Sequence, residues 1–179
     1  EFVDNLGELK LVGLLRREFT VANYTDYQET IGKCNWTRIY TTNYDDTMEK
    51  IAQKNGRVLT PVTLSSSLRE FQDKSDTVVH LNGSVSNLTS TSLSEEFKLT
   101  SSSYLTQSFL KSEWLSLFRY DLKDCDAIFF VGYSLAYDLD IKRLINEDPN
   151  IKAKTFFILS ENEKMSRLKI IGRFGTPLT

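Results

Sequence analysis

The chain has 179 residues, 40% of them hydrophobic, enough for one domain with a sizeable core and too few for a second full one. Lys and Arg total 22 against 24 Asp and Glu, a net charge of -2 without any basic block, which disfavours nucleic acid as the main partner. No apolar run approaches the roughly 18 residues of a membrane helix and no signal peptide opens the chain, so a reducing cytoplasm is the expected setting and the sequons at Asn23, Asn35 and Asn87 read as chance matches.

In chain order, Leu6 to Phe19 has apolar residues close to helical spacing and reads as a packing helix, followed by a short helix over Tyr24 to Ile31. Thr37 to Tyr40 is a short apolar and β-branched run without helical period, the pattern of a buried parallel strand, and Thr41-Thr42-Asn43-Tyr44-Asp45 follows it directly. A helix over Tyr44 to Gln53 comes next, with Asn43 or Asp45 as candidate cap. Arg57 to Val62 reads as a strand ended by Pro61, Leu68 to Phe71 as a helical turn, and Thr77 to Leu81 as a second buried strand leading into Asn82-Gly83-Ser84.

From Ser84 to Ser103 the chain is mostly Ser and Thr with scattered apolar residues, and is expected to bury little, as a plain surface loop or as a lid. Tyr104 to Leu122 predicts one long amphipathic helix with Phe109, Trp114, Leu115 and Phe118 inward. Ala127 to Val131 is a third buried strand, followed by Gly132-Tyr133-Ser134-Leu135. A helix over Leu139 to Asn146, a strand over Lys154 to Leu159 and a helix over Asn162 to Ile171 complete the chain. Strands alternating with helices predict an α/β fold, a mainly parallel sheet with helices on both faces.

Three short polar or glycine-containing motifs thus follow buried strands, and in open parallel sheets ligands bind outside the carboxyl ends of strands. Any one of Asn43, Asn82 or Gly132 alone is as well read as an ordinary turn residue. Their coincidence at three strand ends favours a common pocket.

The ordered set Thr-Thr-Asn-Tyr-Asp (41–45), His-Leu-Asn-Gly-Ser (80–84) and Gly-Tyr-Ser-Leu (132–135), then Asp138-Leu139-Asp140, resembles the sirtuin-like domain of prokaryotic defence proteins, from about Trp36 to about Gly175. The resemblance implies a Rossmann-type fold that binds NAD and usually hydrolyses it, in a protein that depletes NAD when triggered. It implies that Asn43 orients water and ribose, that Thr42, Asp45, Asn82, Gly83 and Ser84 line the NAD site, and that Gly132, Ser134 and Leu135 contact the adenosine side. The family pattern has its His directly before the Gly, where this chain has Asn82. His80, the only histidine, has an unperturbed pKa of about 6.5 and reads either as the general base or as a satisfied, partly buried side chain. Asp138 and Asp140 read as metal ligands or, better, as complements to a helix dipole; no metal is expected.

Protein-deacetylating sirtuins typically carry a four-cysteine zinc module, whereas Cys34 and Cys125 form no CxxC pair. That points to an NAD hydrolase rather than a deacylase. The family's Gly-Ala-Gly phosphate turn is missing, since the chain contains no G-x-G. The chain opens on Glu1-Phe2 and stops after a Gly-Thr-Pro turn, so it reads as one domain of a longer protein, with the first strand lying outside it. A catalytically degenerate nucleotide-binding or interaction module is the alternative function, and a trigger protein or self-assembly the expected partner.

Overall fold

The fold is that of a computed structural model, which describes residues 7–95, 97, 107–133 and 139–179 and divides into two compact units, Glu1–Ser112 and Glu113–Thr179. In the first unit the short β-branched runs become β1 (Arg38–Thr41), β2 (Thr60–Thr63) and β3 (Thr77–His80), a parallel sheet in the order β1-β3-β2. All four residues of β3 are buried, as expected for a central strand covered on both faces. Pro61 lies inside β2 opposite Val78 and does not end the strand. It is tolerated because β2 is an edge, where a missing N–H costs no ladder bond.

Among the described residues the helices of this unit are α1 (Glu8–Phe19), α2 (Asp26–Lys33), α3 (Thr47–Lys54), α4 (Leu68–Phe71), α5 (Ser90–Glu95) and α6 (Gln107–Lys111). Thr25 starts α2 with a capping box, its hydroxyl accepting from Gln28 N at 3.3 Å while Gln28 Oε1 accepts from Thr25 N at 2.8 Å. The apolar stripe of α3 seats Ala52 against Leu59 and Val78 of the sheet layer, with Ile39 and Met48 alongside.

Two expectations are corrected here. The Ser/Thr-rich stretch is not a bare loop over its first half: Val85–Asn87 form a 3-10 turn, α5 follows, and Leu88, Leu93 and Phe97 pack with Leu11 and Leu15 of α1 into a core cluster. Its few apolar residues are spaced to fall on one side, and Arg16 ties the segment down through the Leu88 carbonyl at 2.6 Å. Leu99, Ser103 and Tyr104 lie outside the described residues, as does Leu6. The second correction is the helix expected from Tyr104 to Leu122, which breaks at Ser112. There the serine's amide and hydroxyl both turn back to the Phe109 carbonyl, at 3.0 and 2.7 Å, and α7 (Glu113–Asp124) starts afresh.

In the second unit β4 (Ile128–Val131), β5 (Thr155–Ile158) and β6 (Thr176–Leu178) form another parallel sheet, in the order β4-β5-β6. With them stand α7, α8 (Leu139–Glu147), α9 (Pro149–Ala153) and α10 (Met165–Ile171). Phe157 at the centre of β5 is fully buried, stacked on Phe130 at 5.0 Å between ring centroids. The sequence reading of a Gly-Thr-Pro turn missed β6, which Pro177 disguises. Gly175 permits that strand to dock, since a Cβ there would stand 2.5 Å from the Thr155 carbonyl oxygen. The fold is therefore α/β and Rossmann-like, parallel sheets flanked by helices, as the alternation of elements predicts. No helix among the described residues is long and apolar enough to cross a membrane.

Candidate functional site

In the first unit the parallel register brings Thr41, His80 and Thr63 level at the carboxyl ends of their strands. Beyond that line the chain turns through 42–45 after β1 and 81–84 after β3. Four consecutive carbonyls, Thr41 to Tyr44, accept hydrogen bonds from residues 80–85. Thr41 O receives Leu81 N at 2.9 Å, Thr42 O receives Asn82 Nδ2 at 3.1 Å, Asn43 O receives His80 Nδ1 at 2.9 Å, and Tyr44 O receives Val85 N at 2.8 Å. The two motifs are thus one bonded structure, although nearly 40 residues separate the His80 and Asn43 partners.

Within it the side chains divide by exposure. Asn43 stands exposed, its own N–H donating to Thr41 Oγ1 at 3.0 Å. Asn82 is buried at 7% exposure, and its Oδ1 is enclosed with no hydrogen-bond partner. Because Nδ2 must face the acceptor-only Thr42 carbonyl, the orientation of that amide is fixed and the orphan is an acceptor. Gly83 holds φ at 97°, and a Cβ there would meet the Phe97 ring at 2.7 Å, so the turn admits glycine for backbone and for space alike. Phe97 in turn stacks on Tyr44 at 4.9 Å, and burial pushes the Tyr44 phenol pKa upward, keeping it protonated.

Other members do structural work. Asp45 Oδ1 accepts from Thr47 N at 3.1 Å and from the Thr47 hydroxyl, building the turn that opens α3. The neighbouring Asp46 accepts Val21 N at 2.8 Å and pairs with Lys50. The Ser84 hydroxyl accepts from Ser86 N at 3.3 Å, at the start of the 3-10 turn.

His80 is fully buried, and both ring nitrogens are engaged, Nδ1 with Asn43 O and Nε2 with Glu49 Oε1 at 2.8 Å. Glu49 itself escaped the sequence reading. A signal was present: it lies three residues before the buried Ala52, so a carboxylate falls on the apolar stripe of α3.

In the second unit Gly132 follows β4, exposed, with φ at 63°. Ser134, Leu135 and Asp138 lie outside the described residues, and Asp140 belongs to α8. Among the described residues no three His, Cys, Asp or Glu side chains converge as a metal site would require.

A family model described as SIR2-like domain matches residues 37–170, from the residue before β1 to the last turn of α10. No curated protein matches the chain.

Proposed function

The chain belongs to the SIR2-like domain family, and from that membership we propose that it is an NAD glycohydrolase, cleaving NAD to nicotinamide and ADP-ribose as the effector of a bacterial antiphage defence protein. The observation that carries this reading is the bonded pair of strand-end turns, which presents Asn43 outward and keeps the Asn82 Oδ1 acceptor without a partner.

The chemistry asks little of an acid or base. The nicotinamide–ribose bond breaks with the pyridinium leaving as a neutral molecule, and the ribose carbon becomes oxocarbenium-like before water adds to it. What the protein must supply is position and a polar surround. The Asn43 amide donates and accepts, and so holds the water against the ribose. Asn82 occupies the place of the family histidine, and its Oδ1, enclosed as the turn stands, accepts a ribose hydroxyl once the turn opens to NAD, without removing the proton. Thr42, Gly83 and Ser84 complete the backbone around the ribose, and Asp45 supports them through α3. Gly132, Ser134 and Leu135 keep the adenosine-side assignment that the resemblance gives them. The proposal treats 1–179 as a single sirtuin-like domain working in the cytoplasm without a metal, its turnover released by a trigger protein or by self-assembly.

One observation favours a second reading, a catalytically degenerate nucleotide-binding module: the sole histidine has no ring nitrogen left for substrate. Incubating the intact protein with NAD separates the two. Release of nicotinamide supports the hydrolase, whereas saturable NAD binding without release establishes the degenerate module.

A further inference from the structure

Asn43 is the residue of the first turn whose backbone is held on both sides by side chains: its N–H by Thr41 Oγ1 at 3.0 Å and its carbonyl by His80 Nδ1 at 2.9 Å. A carbonyl only accepts, so Nδ1 must carry a proton. The other ring nitrogen lies 2.8 Å from Glu49 Oε1, so one further proton sits between them, whichever atom holds it. The Asn43 carbonyl sets the proton on Nδ1, and Glu49 holds the other side of the ring, so that the imidazole stays in the one orientation from which it can donate to Asn43.

Stability alone does not account for this arrangement. His80 is fully buried, the Glu49 side chain is 13% exposed, and Glu49 Oε2 is enclosed with no partner. Buried ionisable pairs with an unsatisfied atom give no more stability than well-packed apolar residues of similar volume, and often less. A carboxylate–imidazole pair retained at such a place fits a role in fixing one geometry.

We propose that Glu49 and His80 are a positioning pair that sets the direction of the Asn43 side chain and does not itself touch substrate. In kinetic terms this rests on the NAD hydrolase reading; in structural terms it stands by itself. Glu49→Leu removes the partner of Nε2 and leaves the imidazole tethered through Nδ1 alone, free to turn away from the Asn43 carbonyl. Glu49→Gln restores a donor, since its amide N–H meets the Nε2 lone pair and keeps the proton on Nδ1.

The test compares these two variants in the intact protein, by steady-state kinetics and by 15N-imidazole NMR, in which the single histidine gives one unambiguous spin system. In Glu49→Leu, kcat should fall by about 100-fold, the usual cost of a misplacement near 1 Å, with KM within about threefold, because ground-state contacts to NAD are retained. Glu49→Gln should recover kcat to within about fivefold of wild type. The wild-type spectrum should show a slowly exchanging Nδ1–H with contacts to the Asn43 turn, weakened in Glu49→Leu and kept in Glu49→Gln. A folded Glu49→Leu protein with unchanged kcat overturns the proposal, as does a Glu49→Gln protein no better than Glu49→Leu. If the wild type releases no nicotinamide, the hydrolase reading fails, and the spectrum alone decides the pair: an unprotonated Nδ1 in wild type refutes it. Should Glu49→Leu not fold, the wild-type and Glu49→Gln spectra decide in the same way.

Discussion

Both units are built on three parallel strands with a proline in one edge strand, yet the strands of the first end level at Thr41, His80 and Thr63 and those of the second at Val131, Ile158 and Leu178. The backbone plan is the same; the residue type at the last position is not. Polar ends in the first unit leave donors and acceptors to be spent on the turns beyond, and the result is a bonded pair of loops. The ends of the second are apolar and only partly covered, Leu178 standing 40% exposed. The contrast teaches that one strand plan can end in turns bonded to each other or in plain apolar residues, and that the side-chain chemistry at the last position decides which.

The strongest way to break that contrast is Asn43→Ala. The residue is exposed, so the melting temperature should hold within about 2 °C, as for other surface changes. Nicotinamide release should fall by a factor on the order of 1,000, the upper range for losing one preorganised polar group. Full activity in this variant would remove chemistry from the first unit's strand ends. Next in size are the two central-strand hubs. His80→Ala strands the Asn43 carbonyl and the Glu49 carboxyl, and Phe157→Ala leaves an apolar hole; each should lower stability by about 3–5 kcal/mol in denaturant titration. Only His80→Ala should also lower turnover per folded molecule, and equal behaviour of the two would erase the difference between the sheets.

A smaller effect is expected at Asn82. Removing its amide takes away the Oδ1 acceptor and one of the four bonds to the first turn, so Asn82→Ala should raise KM by about tenfold with a lesser change in kcat, as for the loss of one hydrogen bond to substrate. A KM within error of wild type would end the ribose assignment. The mildest expectation uses the cysteines, one in each unit. Burial pushes the Cys125 thiol pKa up, and the positive Lys154 nearby only partly opposes it, whereas Cys34 is exposed. Alkylation at neutral pH followed by peptide mapping should therefore label Cys34 first.

Strand and helix positions were legible wherever local pattern sufficed. The runs at Thr37 to Tyr40, Thr77 to Leu81 and Ala127 to Val131 all became strands within one residue of expectation. The helix break at Ser112 is local, set by the Phe109 carbonyl three residues before it, whereas the other failures share a cause, a local signal overruled by a distant partner. Pro61 and Pro177 look like strand breakers until a neighbouring strand makes them edges. The Ser/Thr-rich stretch looks empty until α1 supplies Leu11 and Leu15 to its apolar side. In the site, Asn43 and Asn82 could be picked out as strand-end polar residues, but the state of His80 could not. Its partners lie 37 and 31 residues away, and nothing in the local sequence says that both ring nitrogens will be engaged.

The four consecutive carbonyls bound by the second segment have a consequence for how this turn can change over time. Two of the four donors are main-chain amides and two are side chains, all aimed at peptide oxygens, and the oxygens belong to the backbone whatever side chains it carries. Replacing Thr42 leaves every one of those bonds in place. Inserting one residue between Thr41 and Asp45 moves all the oxygens beyond it out of step with their donors at once. The turn is therefore open to substitution and closed to insertion, so that its length is held more tightly than its lettering.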